Sequence, residues 1–169
     1  MTLPAGTRSA GLLLYRQREG RLEVLLAHPG GPFWENKDAG AWSLPKGEVE
    51  ADEEPLAVAR REFAEETGHP SPSGSTIELG EMRQASGKTV FAWAVEGDLD
   101  PDLAVSNTFS MEWPPRSGRS QEFAEVDRVE WFGPDEARRR LNPAQAEFVD
   151  RLVDRLDAVP SSKPAGNRA

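Results

Sequence analysis

Between Gly47 and Gly68 the chain reads GEVEADEEPLAVARREFAEETG, which sets eight carboxylates against two arginines in twenty-two positions. The same stretch carries helix signals. Pro55 suits a first helical turn, no further breaker occurs before Thr67, Gly68 fits the position just past a helix C-terminus, and Pro70 follows. A helix over Pro55 to Thr67 is therefore expected. At about 100° per residue, Leu56, Ala59 and Phe63 share an arc of about 60°, and Glu62, Glu65 and Glu66 share an adjoining arc of about 100°. One edge packs against a core while the next presents carboxylates.

Glu62 and Glu66 are an i, i+4 pair, and Glu62 and Glu65 an i, i+3 pair. Each repels by roughly 0.2–0.5 kcal/mol on an exposed helix, a cost that an ordinary acidic surface helix tolerates. The preceding WSLPKGEVE argues for more. A short apolar run stops at Pro45, turns at Gly47 and brings Glu48, Glu50 and Glu53 up to the helix. A glycine there permits close backbone approach, so loop carbonyls and helix carboxylates converge on one point. Hard divalent cations such as Mg²⁺ prefer all-oxygen surroundings and retain several waters, which leaves positions for phosphate oxygens. A cation would relieve the crowding, and Arg61 would hold the loop against the helix through a bidentate pair with Glu53.

Gly47, Glu53, Arg61-Glu62, the apolar Phe63, Glu65-Glu66 and Gly68 stand at the spacing of the Nudix hydrolase signature, and the stretch resembles that MutT-like family position by position. Only the last element departs, since His69 stands where an aliphatic residue is usual. The resemblance implies an α/β/α sandwich with a central mixed β-sheet and a catalytic loop-helix-loop. It also implies hydrolysis of a nucleoside diphosphate linked to another group, with Mg²⁺ or Mn²⁺ as cofactor. Carried onto this chain, it makes Glu62, Glu65 and Glu66 the metal cluster, with a backbone carbonyl at Lys46 or Gly47 as a further ligand and Glu53 and Arg61 as structural support. Family members often add an acid from a later loop. In RSQEFAEVDRVEWF the expected residue is Glu125, with Glu122 as the substitute.

Substrate choice is less sharply written. Arg116 and Arg119, in a Pro- and Gly-containing loop, and Lys46, beside Gly47, are candidates to hold phosphates. Phe33, Trp34 and Trp113 are candidate stacking platforms for a base. No aromatic residue occurs from His69 through Val90 and no proline between Pro72 and Pro101. The marks of many dinucleoside-polyphosphate-directed, coenzyme-directed and ADP-ribose-directed relatives are thus missing, yet in its overall look, with WSLPKGEVE and Glu-Val-Asp before Trp-Phe, the chain still most resembles the diadenosine-polyphosphate hydrolases and nucleoside-triphosphate pyrophosphohydrolases. The expected partner is a small nucleoside polyphosphate. A nucleotide-sensing module without turnover, and hydrolases of RNA 5′-phosphates or nucleotide sugars, are the alternatives. The isomerase branch resembles a cysteine-using reaction, and this chain of 169 residues has no cysteine.

The rest of the chain fits one domain over residues 1–159, followed by an apolar-poor tail at 160–169 expected to be disordered. Ala10–Tyr15 and Leu22–Ala27 read as a hairpin around Glu19-Gly20, Thr89–Val95 and Val126–Phe132 as strands, with weaker strands near Ile77 and over Thr108–Trp113. His28 to Ala41 reads as a long functional loop. Asn142-Pro143 is the expected start of a second, closing helix with Val149, Leu152, Val153 and Leu156 on its apolar face. A formal charge of -9 argues against a general grip on duplex nucleic acid. No window approaches the ~20 apolar residues of a membrane span, and with no cysteine to oxidise a cytoplasmic protein is expected.

Overall fold

A computed structural model of the chain describes residues 8–158, so the tail expected at 160–169 lies outside the described residues. Two long apolar strands, β1 (Arg8–Arg18) and β2 (Arg21–Pro29), form the expected hairpin. Glu19 and Gly20 turn the chain with φ of 53° and 77°. Positive φ at both central residues matches the twist of a two-residue hairpin. The ladder runs from Arg18↔Arg21 only as far as Tyr15↔Val24.

Beyond Tyr15 and Val24 the two strands part, and residues 42–48 fill the gap. Ser43 exchanges both backbone hydrogen bonds with Ala27, at 2.8 and 2.9 Å. Lys46–Glu48, as β3, pairs antiparallel with β1, placing Gly47 opposite Ala10. The turn expected at Gly47 is thus a short strand. The ladder with β1 keeps this residue extended, and the chain bends only at residues 49–54, where α1 (Pro55–Thr67) begins.

On its other side β1 runs parallel to β5 (Thr89–Glu96), which pairs antiparallel with β4 (Thr76–Arg83). The far edge of β2 takes β8 (Val126–Phe132). The outcome is a six-stranded mixed sheet in the order β4-β5-β1-β2-β8, with β3 attached to β1. A separate two-stranded hairpin, β6 (Thr108–Glu112) with β7 (Ser120–Ala124), precedes β8. The weak strands expected near Ile77 and Thr108 are β4 and β6. β7 had no sequence reading, because its five residues carry only Phe123 as a large apolar side chain.

Alternation along β1 divides the core. Ala10, Leu12 and Leu14 face one layer with Val58, Ala59 and Phe63 of α1. Leu13 and Tyr15 face the other, with Trp42, Phe132, Phe148 and Leu152. That second layer lies under α2 (Pro134–Arg140) and α3 (Glu147–Ala158). The sheet between helices is the expected α/β/α arrangement.

The second helical layer differs in detail from expectation. α2 adds a third helix that had no periodic signal, since Ala137 is its only buried residue. Asn142 caps a short 3₁₀ turn over Pro143–Gln145, accepting from the Ala144 N–H, and α3 begins after it. On α3 Val149 and Leu152 are fully buried, as is Phe148, which the expected face did not include. Phe148→Ala should lower the free energy of unfolding by about 3–5 kcal/mol in urea titration, and Leu156→Ala, at a partly exposed position, by clearly less.

Candidate active site

The helix that carries the signature ends in opposition to its own charges. Gly68 closes α1 in the left-handed conformation at φ 76°, its N–H donating to the Ala64 carbonyl at 2.8 Å. Glu62, Glu65 and Glu66 lie in the last turns, where the helix dipole disfavours anions, and no basic residue occupies the last turn. Val58, Ala59, Phe63 and Thr67 are the buried residues of α1. At about 100° per residue, Glu62 and Glu66 point between Val58 and Ala59, inside that buried arc and not on an adjoining exposed one. The expected division into a packing edge and a carboxylate edge is therefore corrected. The sheet lies close enough beneath the carboxylates to draw them into the packed side.

Gly47 makes that possible. A Cβ on Gly47 would stand 2.2 Å from Cδ of Glu62, so the absence of a side chain in β3 leaves the space the carboxylate occupies. Glu66 faces Lys46, the neighbouring residue of β3. Burial, reinforced by Glu62 and Glu125, pushes the Glu66 carboxyl up to about 8 against the pull of Lys46. Burial also raises Glu62, with Glu65 and Glu125 adding and Arg61 opposing. Lys46 is lowered by burial, although Glu66, Glu48 and Glu62 oppose it.

Arg61 donates from Nη1 to Glu53 at 2.8 Å, and its other nitrogens reach Glu62 at 3.6 Å and Glu65 at 3.9 Å. The two-pronged pair with Glu53 expected from sequence is not formed. One carboxylate oxygen of Glu53 takes Arg61, and the other takes the Glu50 N–H at 2.9 Å. Glu53 thereby ties the loop before α1 to the helix, while the guanidinium spreads over three carboxylates.

A cavity of about 170 Å³ opens beside these groups, with Lys46, Glu66 and Glu125 as its charged walls and Leu44 and Val126 among its apolar ones. Glu125 sits between β7 and β8. Its N–H donates to the Asn107 carbonyl at 2.8 Å, and its own carbonyl accepts the Gly30 N–H at 3.0 Å. Glu122 stands on β7 opposite Ser110, exposed and outside the cavity wall. Arg116 and Arg119 do not line the cavity. They occupy the tip of the β6–β7 hairpin, whose four ladder steps from Ala124 to Ser120 place it about 14 Å up the strand. Phe33 meets Trp113 edge-on at 5.4 Å, and Lys37 lies 5.3 Å over the Trp34 ring. Phe33 is 60% exposed and Trp34 39%, so both rings offer free surface.

Among the described residues no three carboxylate or histidine groups stand close enough to enclose a cation alone. A hard divalent ion that keeps most of its waters needs only one or two carboxylates. The oxygen-only donors at a negative helix end, one of them pushed up to about 8, suit such an ion. Two buried residues that the sequence reading missed also hold the cavity walls. Gln145 accepts the Leu44 N–H at 2.9 Å, and His28 bridges Asp127 to the Lys37 carbonyl at 2.9 and 2.6 Å. A single histidine at a strand end and a glutamine after proline carry no spacing signal.

The NUDIX domain model matches residues 6–152, and the chain belongs to this family. Among solved structures it is similar to the NUDIX domain of Shewanella oneidensis NrtR complexed with ADP ribose. That match has a TM-score of 0.60 and 19% identity, covering 91% of this chain and 90% of that one. A C. elegans Ap4A hydrolase binary complex matches with a TM-score of 0.58 and 21% identity, over 89% of this chain and 97% of that one. The M. smegmatis Nudix hydrolase RenU matches with a TM-score of 0.52 and 25% identity, over 92% and 90%.

The raised Glu66 carboxyl has a measurable consequence for the metal-free protein. The folded state keeps this proton up to about 8, whereas an unfolded carboxyl releases it near 4.5. Between those values the folded state binds the extra proton, so this group's contribution to stability is greatest below 4.5 and falls as pH rises towards 8. In chelator, thermal midpoints measured from pH 5 to about 8 should decline, Glu66→Gln should flatten the decline, and added Mg²⁺ should restore the wild type most at the upper end.

Proposed function

We propose that the chain hydrolyses a diphosphate linkage in a nucleoside polyphosphate, a dinucleoside polyphosphate or a nucleoside triphosphate, with Mg²⁺ or Mn²⁺. The observation that carries this reading is the convergence of Glu66, Lys46 and Glu125 around one small cavity, with Glu62 set against Gly47 and coupled to Glu66. Glu62 and Glu66 would hold the ion, with Glu65 at their flank and a carbonyl of Lys46 or Gly47 as a further donor. When bound, the ion supplies Lewis acidity towards phosphate oxygens and water.

The chain's own groups do the remainder. Lys46 meets a phosphate oxygen and Leu44 and Val126 exclude bulk water from the anhydride. Glu125 accepts the proton of the attacking water as the new phosphorus–oxygen bond forms and the anhydride bond breaks, the leaving phosphate keeping the bond electrons. A volume of about 170 Å³ falls below the roughly 300 Å³ at which pockets begin to enclose a drug-sized ligand. Phosphates therefore enter and the base stays outside, where Phe33, Trp34 and Trp113 offer their rings. Arg116 and Arg119, at the hairpin tip, are set to meet only the outer part of a long polyphosphate. The name of the C. elegans relative, an Ap4A hydrolase, supports the choice of dinucleoside polyphosphates.

The test is a panel of nucleoside triphosphates, dinucleoside polyphosphates, nucleotide sugars and triphosphorylated or capped RNA, each with Mg²⁺ and with Mn²⁺. Glu125→Gln should lower kcat on the best substrate by about 10²-fold with little change in KM, while Glu122→Gln stays near wild type. The reverse pattern would exchange the two acids. Binding without phosphate release throughout the panel would make the chain a sensing module instead.

A further inference from the structure

We propose that His28 is a positioning residue, locking the aromatic loop to the strand that follows Glu125. The proposal rests on the reading of Phe33 and Trp34 as the base platform. His28 is fully buried at the end of β2, where the ladder with β8 shifts register between His28 and Pro29. Its Nδ1 lies 2.9 Å from Asp127 Oδ1 and its Nε2 lies 2.6 Å from the Lys37 carbonyl oxygen. Both ring nitrogens thus lie at hydrogen-bond distance from an oxygen, one on each side of the ring. Trp42 packs edge-on against the ring at 5.1 Å and fixes its plane.

The two anchored atoms matter for what is attached to them. Lys37 ends a run of turns in which the Trp34 N–H donates to the Gly31 carbonyl and the Lys37 N–H to the Trp34 carbonyl, at 3.2 and 3.0 Å. Holding the Lys37 carbonyl therefore holds the short segment that presents Phe33 and Trp34. At the other end, Asp127 stands two residues after Glu125, whose carbonyl takes the Gly30 N–H at 3.0 Å. One buried ring thus sets the separation between the aromatic platform and the acid at the cavity. A histidine serving the core alone would not need one nitrogen committed to a loop and the other to a strand.

His28→Phe keeps a ring of similar size and removes both bonds. The experiment measures amide hydrogen exchange by segment, together with kcat and KM for ATP and diadenosine tetraphosphate in Mg²⁺. Exchange over residues 31–37 should accelerate by about tenfold or more while β1, β5 and α1 keep their protection. KM should rise by about tenfold with kcat within about threefold of wild type, the split expected of lost positioning and not of lost chemistry. Asp127→Ala, at a side chain 37% exposed, should speed exchange in the same segment and serves if His28→Phe does not fold. Unchanged protection at 31–37 in the folded variants, or a fall in kcat at constant KM, would overturn the proposal. If the wild type hydrolyses neither nucleotide, the proposed reaction fails alone, and the exchange pattern still decides the bridge.

Discussion

A Cβ on Gly47 would stand 2.2 Å from the Glu62 Cδ, and the geometry of the site depends on that close approach of a helix carboxylate to a strand backbone. It fixes how deeply α1 sits against the gap between β1 and β2. Once α1 lies at that depth, Val58, Ala59, Phe63 and Thr67 pack on the sheet, and the carboxylates between them are carried inward with the same face. The splayed hairpin is the other half of the arrangement. Because β1 and β2 separate after Tyr15 and Val24, residues 42–48 can reach the sheet from between them and bring Lys46 beside Glu66.

The carboxylate cluster is held together against its own electrostatics. Glu62 and Glu66 repel, burial penalises both, and the helix end opposes them further. Arg61 offsets part of this from the solvent side, where it spans Glu53, Glu62 and Glu65. It is too exposed to neutralise Glu66. The packing of Phe63 and the closed ladder of β3 supply the opposing force, and under the proposed reaction a cation would relieve the cost of ionising these buried carboxyls.

Much of this was legible because it is local. The breakers Pro55 and Gly68 bound α1, and the continuous apolar run of β1 marks a strand buried on both faces. The spacing of Gly47, Glu62 and Glu66 is fixed by helix pitch and one short loop. What was not legible depends on contacts across the sheet. The inward turn of Glu62 and Glu66 follows from how closely α1 sits, which no helical wheel contains. Gly47 as a strand residue follows from the parting of β1 and β2. The distance of Arg116 and Arg119 from the cavity follows from the β6–β7 ladder, and β7 itself is too poor in apolar residues to announce a strand. His28 and Gln145 act through partners 99 and 101 positions away, a separation at which residue type alone says nothing.

The two parts of the site differ in how firmly the fold holds them, and the proposed reaction makes use of the difference. The charged groups stand on α1, β3 and the β7–β8 junction, each tied by backbone hydrogen bonds to the sheet or to the adjacent loops. Phosphate chemistry requires such rigidity, because a misplaced acid or ammonium loses most of its effect. The aromatic rings instead ride on an irregular loop pinned at a few points, by His28 at Lys37, by Gly30 at Glu125 and by Asp38 at Arg140. Stacking on a ring face is tolerant of which base is offered. Under the proposed reaction, a firmly held centre for the anhydride beside an open, adjustable platform for whatever it joins would give selectivity for the bond to be broken before selectivity for the group attached to it.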